Sequence, residues 1–192
     1  MTNSNVSSSR PRRGLLPLSA DPVTYGHLNI IARAAAQCDE LTVLACENDC
    51  KKGKYLFDRS ERLALLTRAV KKLGLANVTV RDSNRLLVDE FLEQGADVLF
   101  RGIRDDKEQV GEARQLRCHD LLLPGIANKV IYLEADEALR EVSSTLVKAF
   151  VSHHAEVANY APIFVKAALE ERICGQWKIG VTGEMGSGKT FV

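Results

Sequence analysis

The stretch that most constrains this chain is Ser19-Ala20-Asp21-Pro22-Val23-Thr24-Tyr25-Gly26-His27. The apolar run Leu15-Leu16-Pro17-Leu18 precedes it, and Leu28, Ile30, Ile31, Ala34 and Ala35 follow at helical spacing. The pattern predicts a strand feeding a tight turn, and then a helix with Gly26 and His27 in its first turn. Amides at a helix start have no partner within the helix, and the helix dipole favours negative charge there, so such a place suits a phosphate. His27 adds a side-chain donor to that spot, and Ser19 adds a hydroxyl at the strand end. The plain alternative is a turn followed by an ordinary helix start, which a bare Gly-His pair does not exclude.

The rest of the chain alternates strand and helix. Glu40–Cys46 reads as a second strand, followed by the polar loop Glu47–Lys54. Asp58 and Glu61 have capping-box spacing ahead of a helix whose face is Leu63, Leu66, Ala69, Val70 and Leu73, with Gly74 as its C-cap. Asn77–Val80, Ala96–Phe100 and Lys129–Leu133 read as further strands. Helices are expected over Leu86–Gln94, Glu108–Leu123, Ser143–Val151 and Pro162–Ile173. With no hairpin signal, the fold class expected is α/β: a Rossmann-like parallel five-stranded sheet with helices on both faces. In such sheets ligands bind beyond the carboxyl ends of the strands, where strand order reverses. Ser19, Lys51, Arg101, Arg104 and Ser143–Thr145 all fall at such ends.

Composition bounds the reading from outside. The 192 residues carry 26 basic and 25 acidic side chains, which leaves no basic stripe for nucleic acid and no charge run for a membrane surface. No apolar run is long enough to span a bilayer. Five cysteines without a C-x-x-C pair suggest thiols in a reducing cytoplasm and no zinc site. Residues 1–13 are polar and basic, and are expected to be a disordered tail.

Individual residues then suggest chemistry. Arg101 and Arg104 flank Gly102 at a strand end, and arginine presents a planar fork of donors to phosphate oxygens. Two arginines are equally at home on a solvated surface. Ser143-Ser144-Thr145 suits a helix N-cap, and capping is compatible with phosphate binding. Lys51 and Lys52 alone say little.

Together these strings resemble a known family. Thr24-Tyr25-Gly26-His27 resembles the T-x-G-H signature of nucleotidyltransferases. Arg101-Gly102-Ile103-Arg104, Val142–Lys148 and the Asn48–Lys52 loop resemble strings of the bacterial phosphopantetheine adenylyltransferases, in that family's order from Leu15 to Glu170. The resemblance implies transfer of AMP from ATP to 4′-phosphopantetheine with Mg²⁺, giving dephospho-coenzyme A and pyrophosphate. It implies catalytic roles for His27, Ser19, Lys51 and Arg101. Lys51, Arg101, Ser19 and Leu87 would meet the pantetheine substrate. Ser19, His27, Gly102, Ile103, Arg104, Glu112, Ser143, Ser144 and Thr145 would meet ATP. It also implies a homo-oligomer, a hexamer in bacterial members, and a cytoplasmic place. It singles out no protein ligand for a metal. The chain departs from the family at Leu18 and Ala20, where Gly and an aromatic are usual, in the Gln109–Glu112 stretch, and at Leu139, where an aromatic is usual. Leu18 and the Gln109–Glu112 stretch motivate one alternative, a degenerate nucleotide- or coenzyme A-binding module; another T-x-G-H nucleotidyltransferase is a second alternative, against which Arg101–Arg104 and Ser143–Lys148 speak.

The nucleotidyltransferase domain is expected over residues 14–173. After it, Trp177–Thr182 reads as a strand leading into Gly183-Glu184-Met185-Gly186-Ser187-Gly188-Lys189-Thr190, a P-loop pattern. Gly183 and Gly188 would form the phosphate turn, with Lys189 on outer phosphates and Thr190 on Mg²⁺. This segment, 177–192, resembles the start of dephospho-coenzyme A kinase. It is expected to be the truncated opening of a fused kinase domain, without kinase activity of its own.

Overall fold

A computed structural model describes residues 12–47, 53–103, 114 and 116–176. The strands are β1 (Arg13–Leu18), β2 (Glu40–Ala45), β3 (Val78–Asp82), β4 (Val98–Ile103) and β5 (Val130–Glu134). They form one all-parallel sheet in the order β3-β2-β1-β4-β5. The helices are α1 (Tyr25–Ala35), α2 (Arg59–Leu73), α3 (Leu87–Glu93), α4 (116–122 in its described part), α5 (Ser144–Ser152) and α6 (Ile163–Cys174). The five-stranded α/β architecture expected from alternation is the one observed. The third strand begins one residue later than expected, at Val78. Asn77 is occupied as a bracket instead, its side chain donating to the carbonyls of Ala35 at 2.9 Å and Cys38 at 3.0 Å.

Helices cover both faces, and strand alternation decides which side chain meets which helix. Leu16, Leu41, Val43, Val98 and Phe100 face one large cluster, to which α1 contributes Ile31 and Ala34, α2 Leu66 and Val70, α5 Val147 and Val151, and α6 Val165 and Leu169. Leu15, Leu44 and Leu99 face the other way, onto Val88 and Phe91 of α3 and Ile126. Burying each such side chain is worth about 1.5–3 kcal/mol, so the two clusters supply most of the folding drive. No helix among the described residues is long and apolar enough to cross a membrane.

One residue in the central strand opens the sheet at its carboxyl edge. β1 pairs with β2 along its whole length, from Arg13 opposite Glu40 to Leu18 opposite Ala45. Its register with β4 covers only Gly14 opposite Val98 and Leu15 opposite Leu99. The Arg13 carbonyl accepts from Asp97 on the β4 side, whereas the Leu18 carbonyl accepts from Cys46 on the β2 side. By that alternation Pro17 faces β4, where its missing N–H leaves the ladder one donor short. The two strands where the sheet order reverses therefore part toward their carboxyl ends, and the crevice of a doubly wound sheet forms there.

Candidate active site

The crevice is bounded by Leu18 and Ser19 at the end of β1, Gly26, His27 and Ile30 on α1, and Gly102 and Ile103 at the end of β4. The segment from β5 into α5 closes it with Ala135, Leu139, Arg140, Val142 and Ser143–Thr145. Two helix N-termini thus open into one cleft, which doubles the positive end-charge offered to an anion.

The start of α1 is built to present His27. Thr24 is the fully buried N-cap, in extended conformation at φ −125° and ψ 170°. Its backbone N–H donates to Nδ1 of His27 at 3.1 Å, closing a capping box in which the usual glutamate is replaced by histidine. A backbone amide only donates, so Nδ1 must accept, and the ring proton of the neutral imidazole resides on Nε2. The cap that stabilises the helix also fixes the tautomer. Tyr25 N–H is taken up by the Tyr160 carbonyl at 2.9 Å, which binds this first turn to the approach of α6.

Close approach then brings α5 to α1. A Cβ on Gly26 would stand 2.6 Å from the Val142 carbonyl oxygen and 3.3 Å from that of Leu139, so only glycine allows the two segments to touch. Ser144 Oγ donates to the Pro22 carbonyl at 2.8 Å, and Ser143 Oγ accepts from Leu146 N–H at 3.1 Å as the N-cap of α5. Two of the three hydroxyls are thereby engaged within the protein, while Thr145 is exposed.

Behind the cleft, buried charges hold the turn. Asp21 is 5% exposed; its carboxylate accepts from Leu56 N–H and Phe57 N–H, both at 3.0 Å, and from Lys148 Nζ at 2.9 Å. One side chain ties the β1–α1 turn to the approach of α2 and to α5. Arg62 is 2% exposed and donates to the Ser19 carbonyl at 2.9 Å. Neither Asp21, Lys148 nor Arg62 stood out in sequence as a binding residue. Their hydrogen-bond partners lie 15 to 127 positions away, and no local spacing encodes that. Arg140 was also missed; it lines the cleft and pairs with Glu134 at 3.0 Å.

The expected residues separate into groups. Ser19, His27, Gly102, Ile103, Ser143, Ser144 and Thr145 converge on the cleft. Arg101 alternates with Gly102 and shares a sheet face with Leu99, in the cluster against which Leu87 packs. Arg101 and Leu87 therefore lie on the α3 side of the sheet, across from α1. Lys51, Arg104 and Glu112 lie outside the described residues, as do Gly183, Gly188, Lys189 and Thr190.

Comparison with known proteins agrees with this geometry. A family model described as cytidylyltransferase-like matches residues 19–150. A phosphopantetheine adenylyltransferase of Staphylococcus saprophyticus is 34% identical over 160 residues, covering 83% of this chain and 96% of that protein. A phosphopantetheine adenylyltransferase of Clostridium perfringens is 34% identical over 164 residues, covering 84% and 95% respectively. A solved structure described as a nicotinate-nucleotide adenylyltransferase from Vibrio parahaemolyticus superposes with a TM-score of 0.61 at 15% identity, over 85% of this chain and 95% of that one, and so shares the fold.

Proposed function

The chain belongs to the cytidylyltransferase-like family and, within it, to the phosphopantetheine adenylyltransferases; from that premise we propose that it transfers AMP from ATP to 4′-phosphopantetheine, a step of coenzyme A biosynthesis. A phosphate oxygen of phosphopantetheine attacks the α-phosphorus of ATP. The new oxygen–phosphorus bond forms as the bond from the α-phosphorus to the bridging oxygen breaks, and pyrophosphate leaves. The observation that carries this reading is the convergence of His27 and two helix N-termini on one cleft at the strand-order reversal. Such chemistry asks a protein mainly for positioning and for charge stabilisation at the transferring phosphoryl group.

In this reading His27 donates Nε2–H to a phosphate oxygen as charge develops, from an imidazole held by Thr24. Ser19 places the attacking phosphate. Gly102 and Ile103 line the nucleotide side, together with Ser143–Thr145, whose helix start carries the dipole. Arg104 and Glu112 complete the nucleotide contacts. Lys51, Arg101 and Leu87 receive the pantetheine side, an assignment supported for Arg101 and Leu87 by the face they share across the sheet from α1.

Mg²⁺ accompanies the nucleotide. A hard cation needs oxygen ligands, and among the described residues the cleft lining holds hydroxyls, amides, an imidazole and the Arg140 guanidinium but no carboxylate. Among the described residues no three His, Cys, Asp or Glu side chains gather as a metal site. These residues therefore fit a cation carried mainly by the ATP phosphates, where it would offset phosphate charge.

Self-association and a cytoplasmic place belong to the same reading. Leu92, Leu121 and Leu122 stand exposed at 58%, 84% and 59%, which supports a homo-oligomer. The deciding experiment is pyrophosphate release from ATP and Mg²⁺ with and without 4′-phosphopantetheine. Release that requires phosphopantetheine is expected. Binding of ATP or coenzyme A without release would instead make the chain a degenerate binding module, with Leu18 on the cleft wall as the first residue to revert.

A further inference from the structure

Arg62 is a buried cation that does not line the cleft. It projects from α2 to the carboxyl ends of β1 and β2. Its Nη1 donates to the Ser19 carbonyl at 2.9 Å and to the Cys46 carbonyl at 3.3 Å, and its Nη2 to Glu47 Oε1 at 3.2 Å. The guanidinium lies 4.1 Å from the centroid of the Tyr55 ring. Its side chain is 3% exposed, whereas that of Glu47 is 43% exposed. Among the described residues the buried Nε has no hydrogen-bond partner.

For stability alone this is a poor arrangement. A buried guanidinium loses its hydration, and an apolar side chain of similar volume often serves the core at least as well. An unmatched buried N–H adds to the loss. What the arrangement does provide is placement. Ser19 is followed by Ala20 at φ +41°, in the left-handed region that a side chain other than glycine rarely adopts. The carbonyl of Ser19 is therefore turned at a bend that local preference does not hold, and Arg62 is the donor that meets it.

We propose that Arg62 is a positioning residue for the adenylyl transfer: through the Ser19 carbonyl it holds the Ser19 hydroxyl in register with His27 across the cleft. The proposal rests on the function proposed above and deepens it, since it names the group that orients the attacking side. Arg62 itself touches no substrate. Its bond to the Cys46 carbonyl spans to the neighbouring strand, so the two strand ends are held at a fixed separation. A lysine, with one nitrogen in place of a planar fork, cannot bond two carbonyls and Glu47 at the same angles.

The test compares wild type with Arg62→Lys, Arg62→Met and Arg62→Ala, by pyrophosphate release, ATP calorimetry and thermal melting. Lys and Met variants are expected to melt within a few degrees of wild type. Their kcat is expected to fall about a hundredfold, while KM for ATP moves less than about threefold. Arg62→Ala is expected to regain at least fivefold activity when guanidinium ion is added at a non-denaturing concentration. A folded Arg62→Met with kcat within threefold of wild type would overturn the proposal. So would variants that fail to fold, because Arg62 would then be a stability residue. Should wild type bind ATP without releasing pyrophosphate, the functional reading fails on its own. Cleavage by limited proteolysis at the Ser19–Ala20 bend then reads placement directly: faster cleavage in Arg62→Met is expected, and unchanged cleavage overturns the proposal.

Discussion

Two helices of this molecule begin with the same device and use it for different ends. At α2, Asp58 accepts from Glu61 N–H at 2.8 Å, and the Glu61 carboxylate accepts from Asp58 N–H at 2.9 Å. At α1, Thr24 and His27 occupy the same two positions, with the histidine ring taking the part of the glutamate. The α2 box places two carboxylates at the positive end of the helix and so neutralises it from within. The α1 box satisfies the backbone without adding negative charge, and no acidic residue stands in the first turn. One helix start is finished, and the other is left for a ligand to finish.

The sharpest way to break that contrast is His27→Glu, which gives α1 the box of α2. The glutamate can still accept from Thr24 N–H, so the melting temperature should stay within a few degrees of wild type. Pyrophosphate release should fall about a thousandfold, because a donor to the phosphate becomes an acceptor that repels it. Retained activity in a folded His27→Glu protein would remove the imidazole from the mechanism.

The second-largest effect is expected at the position before. Gly26 and Ser60 are the matching residues of the two first turns, yet Gly26 lies against the Val142 carbonyl while Ser60 is exposed. Gly26→Ala should destabilise the protein by about 2 kcal/mol by overpacking, and Ser60→Ala by less than about 0.5 kcal/mol, both read from denaturant unfolding. Gly102→Ala provides an internal control within the cleft. Its Cβ would come nearest to the Ile30 side chain, at an ordinary 3.4 Å, so unfolding should hardly change. A Gly26→Ala protein as stable as wild type would mean that α1 and α5 can separate without loss.

How legible was this in the sequence? The α1 start was readable because strand, turn and helix are contiguous, and because histidine at the third helical position is itself a local signal. The α2 box was readable for the same reason. Pro17 was visible, but its consequence depends on which neighbour its missing N–H faces, and that is a property of the sheet. Lys148 stood within a recognised string without its partner Asp21, which lies 127 residues away. Arg140 lies in a stretch that departs from the family, so resemblance pointed past it. Geometry restores it to the cleft: Arg140→Ala should raise KM for ATP about three- to tenfold with little change in kcat, if the arm exchanges its exposed pairing with Glu134 for the nucleotide. An unchanged KM would leave that arginine on the surface with Glu134.

The smallest effect isolates one of the two carboxylates that distinguish the α2 box from the α1 box. Glu61 N–H, and then the Ser60 hydroxyl, hold the Asp58 carboxyl below the usual carboxylate range. A group whose folded value is depressed adds stability above its unfolded value, and loses that contribution as pH falls through the folded value. Asp58→Ala should therefore lower the melting temperature by a few degrees at neutral pH. The gap should close in acid, below the ordinary range for aspartate. The α1 box has no carboxylate, so Thr24→Ala should lower the melting temperature by an amount that does not shrink through the same acid window. Placing Glu at position 27 should introduce the acid dependence there as well. If Thr24→Ala in an otherwise wild-type chain showed the same closing gap, a carboxylate outside the first turn would have to serve α1, and the two starts would differ less than their sequences do.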